Sequence, residues 1–117
     1  MQALDPNGIQ LLRQVVEWMV AGDFKAVAVA SGNTRLSAEE MREAIESYGR
    51  TLVHLPDSVW EDLDVIRVEV AVDPTWAVCV DLWTLEEGRS DLSLECTITT
   101  RGGAGGATIE IDDIRVL

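Results

Sequence analysis

The sequence predicts an α+β domain in which N-terminal helices pack on a strongly curved antiparallel sheet with a bulged last strand. Three observations predict it. Residues 1–50 hold apolar residues at helical spacing, in stretches opened by capping residues and closed by glycine. Residues 75–99 read as two long strands of period two around one turn containing Gly88. In residues 108–117 the same alternation changes phase at Asp112-Asp113. The 117 residues form one domain, with a helical part over 1–50 and a sheet over 51–117. A chain of this length buries roughly two-thirds of its surface on folding.

Asp5-Pro6 starts the first helix: a capping carboxylate followed by proline at the first helical position. Ile9, Leu12, Val16, Met19 and Val20 make its apolar stripe, widened by Leu11, Val15 and Trp18, and Gly22 stops it. Asp23 caps a short second segment, Phe24 to Ala30, read as helix with an edge strand as the alternative. Ser37-Ala38-Glu39-Glu40 is a capping box, with Leu36 and Met41 placed for a hydrophobic staple. Met41, Ala44, Ile45 and Tyr48 then share one face, and Gly49 ends the helix.

Leu52 to Leu55 reads as a short strand broken by Pro56, and Asp57 to Leu63 as a loop or a single helical turn. Asp64 to Val72 reads as a strand with Ile66, Val68, Val70 and Val72 on the covered face and Arg67 and Glu69 on the other. Asp73-Pro74 turns the chain into the central hairpin. A three-residue loop, Glu86-Glu87-Gly88, pairs Leu82 with Leu92, Val80 with Leu94, Val78 with Cys96 and Trp76 with Ile98. A two-residue loop would set Asp81 opposite Leu94. In the three-residue register Cys79 and Cys96 fall on opposite faces, which excludes a disulfide between them. Residues Arg101 to Gly106 form a glycine-rich strand connection without a GKS or GKT element. In the last strand one extra residue at Asp112-Asp113 would return Ile109, Ile111, Ile114 and Val116 to one face.

Apolar residues make up 47% of the chain, the content of a folded protein. Two cysteines suit a reducing compartment. The N-terminus lacks a basic stretch followed by an apolar run, and no stretch is long enough to span a bilayer, so a cytoplasmic protein is expected. Net charge is −12 and uneven: 8 acids and 5 bases in residues 1–58, 13 acids and 4 bases in residues 59–117. Such a surface repels phosphate backbones and argues against nucleic-acid binding. It suits solubility or a basic partner protein.

The order of elements, helices first and a bulged strand last, resembles the nuclear-transport-factor-2-like (SnoaL-like) superfamily, a cystatin-like cone. Val15 to Phe24 is similar to its first-helix ending in Gly-Asp plus an apolar residue. The long hairpin and Ile109 to Ile114 are similar to its final strands. Leu82-Trp83-Thr84 with Glu86 to Leu92 also resembles a stretch of uncharacterised bacterial proteins. The superfamily resemblance implies a cone enclosing a pocket and dimers formed through the outer sheet face. It implies activities that run from isomerase and dehydratase to binding alone.

Weighing the chemistry gives two function classes. The covered face carries no carboxylate, which favours a packed core over catalysis. His54, the single histidine, could act as a base oriented by Asp64, with Tyr48 near it, in a lyase or isomerase or a protein that binds a small apolar ligand. No metal site or cofactor is expected from one histidine and two unpaired thiols. The uncovered face, with Arg67, Glu69, Ala77, Cys79, Asp81, Trp83, Ser93 and Glu95, carries an exposed tryptophan among small and charged residues, the composition of an interaction patch. Alternatively Trp83 packs under the glycine-rich loop. The reading favoured by the sequence is a non-enzymatic, acidic adaptor or immunity-like protein that binds a basic partner or a second copy through this face.

Overall fold

In the computed structural model the chain is described over residues 4–33, 35–69, 73–101 and 106–117. The elements run α1 (Pro6–Ala21), α2 (Phe24–Ala30), α3 (Ala38–Tyr48), β1 (Leu52–Val53), α4 (Asp57–Glu61), β2 (Asp64–Arg67), β3 (Thr75–Thr84), β4 (Gly88–Arg101) and β5 (Gly106–Val116). The fold class read from the sequence is the one observed: helices on an antiparallel sheet of five strands, in the order β1-β3-β4-β5, with β2 also on β3.

The helices begin and end where their capping residues place them. The Asp5 carboxylate accepts from the Asn7 N–H, and α1 closes at Gly22, whose φ of 78° is open to a residue without Cβ. Asp23 caps α2 through the Ala26 N–H, so the alternating segment is helix, not edge strand. At α3 both halves of the capping box form: the Glu40 N–H donates to Ser37 Oγ and the Ser37 N–H donates to the Glu40 carboxylate. The Ser37 N–H, and after it the Ser37 hydroxyl, hold the Glu40 carboxyl below its ordinary value.

The sheet buries one face under these helices. Leu12, Val15, Met19, Val27, Met41, Val78, Leu94, Ile98 and Ile111 are almost wholly buried in one continuous cluster. Each such side chain contributes about 1.5–3 kcal/mol relative to exposure. Helix α1 lies across β4 and β5, close enough that a Cβ on Gly8 would stand 3.2 Å from Ile98 Cγ2. No helix of the described residues is long and apolar enough to cross a membrane.

The hairpin keeps three of the four expected pairs, Trp76 with Ile98, Val78 with Cys96 and Val80 with Leu94. The fourth fails because the turn sits one residue earlier. Thr84 pairs with Gly88, so the loop is Leu85-Glu86-Glu87, and Gly88 at φ 75° closes it. The difference is absorbed in a bulge: Leu82 alone faces the stretch Ser90 to Leu92. Ser90 fills the gap in the ladder, donating to the Leu82 carbonyl at 2.6 Å and accepting from the Leu92 N–H at 3.1 Å. Both cysteines are free, Cys79 exposed and Cys96 buried, as opposite faces require.

The predicted bulge in the last strand is present. Glu95 pairs with Asp113 and Cys96 with Ile111, leaving Asp112 as the extra residue. Its carboxylate accepts from Thr97 Oγ1 and pairs with Arg35, while the Asp113 carboxylate takes the Ile114 N–H. Ile109, Ile111 and Ile114 are buried as expected, but Val116 is 59% exposed beyond the helical cover.

β2 corrects the sequence reading. It ends at Arg67, and its register pairs Val65 with Val78 and Arg67 with Trp76, so these two face the helices. Ile66 pairs with Ala77 on the open face and is 66% exposed. Arg67 lies on the covered side because its guanidinium stacks on the Trp76 ring, 5.7 Å from the centroid. Val70, Val72 and residues 102–105 of the glycine-rich connection lie outside the described residues.

Candidate interaction face

Strands alternate their side chains, so the residues between the buried ones of β3, β4 and β5 point away from the helices. Asp64, Cys79, Asp81, Trp83, Ser93, Glu95 and Arg115 therefore share the open face, with Asp81 paired to Ser93 and Cys79 to Glu95. Helix α4 and the residues leading into β2, Ser58 to Asp64, rise along one side, and Leu117 closes another. Together they form an open groove of about 640 Å³. Proline at position 56 and the five-residue α4 set that wall beside β3.

The groove is acidic. Five carboxylates line it, from Glu61, Asp62, Asp64, Asp81 and Glu95, against two guanidiniums, from Arg89 and Arg115. Arg115 Nε holds Glu95 at 2.6 Å, and Arg89 Nε stands 3.9 Å from Asp81. Glu61, Asp62 and Asp64 make no ion pair among the described residues. They are not grouped as the ligands of one metal ion would be. Desolvation first, then the charges of Glu95 and Asp64, push the Cys79 thiol up.

Among the described residues, two polar atoms in this groove are buried without a hydrogen-bond partner: Trp83 Nε1 and Ser93 Oγ. Trp83 is half-buried, its ring lying against Gly88, while Ser93 is only 1% exposed. Sequence reasoning placed both on this face, but nothing in the sequence marks them as unpartnered. It missed Arg89, Arg115 and the α4 wall, since charge neutralisation across strands depends on the bulged register.

Of the residues expected on the face, Cys79, Asp81, Trp83, Ser93 and Glu95 come together there. Arg67 does not, for the reason given above, and Glu69 stands exposed in the turn after β2. The residues considered for catalysis have separate surroundings. His54 Nδ1 meets Glu17 at 2.5 Å on the exposed surface of α1. Tyr48 Oη donates to the Glu87 carboxylate and accepts from the Asp91 N–H, tying α3 to the hairpin. Desolvation, then the bond to Glu87, raise the Tyr48 hydroxyl above its usual value. Asp64 opens on the groove, opposite Cys79.

No curated protein and no solved structure matches the chain. Residues 16–117 match the model of a family described as a domain of unknown function (DUF7668), and the chain belongs to that family.

Proposed function

We propose that this is a non-enzymatic interaction protein that acts in the cytoplasm and holds a basic partner protein on its open sheet face, as an adaptor or immunity-like protein would. The observation that carries the proposal is the groove over Trp83, where three of five carboxylates lack a cationic partner among the described residues. A cation from outside would gain from that field, which also speeds encounter. A second copy suits the face less well: it would bring another net −12 and the same acidic groove against the first. Kinship with the nuclear-transport-factor-2-like superfamily belongs to the same proposal, supported by the order of elements and the bulged last strand.

A small apolar ligand under the sheet, with chemistry at His54, draws less support. Leu12, Met19, Leu94 and Ile98 fill the space between helices and sheet, and His54, Asp64 and Tyr48 have unrelated surroundings. Native mass spectrometry on protein purified gently from its own source tests the proposal. The expected species is a complex with a chain of positive net charge, lost in Trp83→Glu and weakened by salt. An added mass of a few hundred daltons per chain would instead favour the ligand reading.

A further inference from the structure

The groove holds more information than its charge. Ser93, 1% exposed, and the Trp83 indole each bury a polar atom with nothing to bond. Leaving such groups unpaired costs stability, and native proteins leave few of them. A hydroxyl can donate and accept, whereas the indole N–H only donates, so the missing partner must supply an acceptor. Free carboxylates stand toward the other end, at Asp62 and Asp64. Asp64 faces Cys79, four residues along β3 from Trp83, a span of about 13 Å. The occupant must therefore offer an acceptor and a cation about four extended residues apart. Among the described residues the edge of β3 also lacks a strand partner over Val80 to Leu82, between β2 and β1, and Val80 and Asp81 line the groove.

We infer that the groove binds an extended segment of a partner protein, with the Trp83 indole turning outward so that Nε1, shielded in the free protein, donates to a main-chain carbonyl, and with a lysine or arginine side chain set against Asp62 and Asp64. The inference rests on the interaction reading above and adds the form of the ligand and its register. Main-chain acceptors recur along an extended segment, while the cation fixes its direction.

A random dodecapeptide display library panned on the whole protein tests it, followed by anisotropy titration of the most enriched peptide. The enriched peptides should carry lysine or arginine. Affinity for that peptide should fall about 2- to 10-fold in Trp83→Phe, which keeps an aromatic ring and removes the donor. It should fall on the order of fivefold in the Asp62→Asn, Asp64→Asn double variant, with a weaker salt dependence. His54→Ala should leave it unchanged. Basic peptides that Trp83→Glu displaces, but whose affinity neither Trp83→Phe nor the aspartate double variant alters, would overturn this inference and leave the interaction reading standing; basic peptides indifferent to all three variants would overturn both. Enrichment of peptides without a basic residue, or no enrichment, would overturn both. A dimer in sedimentation equilibrium that Trp83→Glu dissociates would make a second copy the occupant and overturn the inference.

Discussion

Two serines three residues apart on β4 should respond oppositely to the same substitution. Ser90 is 5% exposed and Ser93 1%, so both are buried and both lose the same atom on replacement by alanine. Ser90 Oγ bridges the hairpin bulge, donating to the Leu82 carbonyl and accepting from the Leu92 N–H. Ser90→Ala leaves those two backbone groups unpaired where water has little access, at about 1–3 kcal/mol for each. With partial relaxation of the bulge, the loss should be roughly 2–4 kcal/mol, a large share of the ~5–15 kcal/mol that holds a small domain together. Among the described residues Ser93 Oγ has no partner to lose. Its removal trades a buried hydroxyl for a methyl, so Ser93→Ala should fall within about 0.5 kcal/mol of wild type or stabilise the protein. Urea unfolding followed by tryptophan fluorescence measures both, with an unchanged m value showing that only stability has moved. A loss below about 1 kcal/mol in Ser90→Ala would refute the bridging role. Equal losses in the two variants would refute the assignment of their hydrogen bonds.

Ile98→Ala, at a position 0% exposed beneath α1, should cost about 2–5 kcal/mol by calorimetry, because helix and sheet cannot close on the cavity. Native protein should titrate one thiol per chain with a disulfide reagent, Cys79, and a second only in denaturant, since burial raises the Cys96 thiol and hides it. Glu40 and Glu86 titrate below their ordinary 4.5, held chiefly by backbone N–H groups of Ser37 and Thr51. Both contribute stability that is present above the unfolded value and lost as pH falls through the lower folded one. Urea midpoints of wild type should therefore drop more steeply on acidification below about pH 4.5 than those of Glu40→Gln with Glu86→Gln.

Local signals were legible in the sequence because their partners are neighbours in the chain. The Ser37–Glu40 box needs only three residues of separation, and the phase change at Asp112 needs only the alternation on either side. The hairpin register followed from matching apolar pairs, and it held until Ser90 supplied a side chain that could stand in for ladder bonds. Apolar matching carries no signal for such a bulge. β2 was ambiguous because Val65 and Ile66 are apolar on both parities; Arg67 decided it by stacking on Trp76, nine residues away. The acidic groove was half legible. Alternation put Trp83, Ser93 and Glu95 on the open face, whereas the wall from α4 and the pairing of Arg115 with Glu95 depend on tertiary placement. His54 found Glu17, 37 residues earlier, by packing of α1 beside β1, which no local pattern specifies.

The most direct measurement is a two-dimensional amide and indole NMR titration of the wild-type protein with the enriched basic peptide. The Trp83 indole N–H resonance should move downfield as it gains an acceptor, together with shifts at Asp62, Asp64 and Cys79. Shifts confined to the surroundings of His54 and Glu17, with the Trp83 indole signal unmoved, would contradict the claim that the open sheet face is where this protein binds.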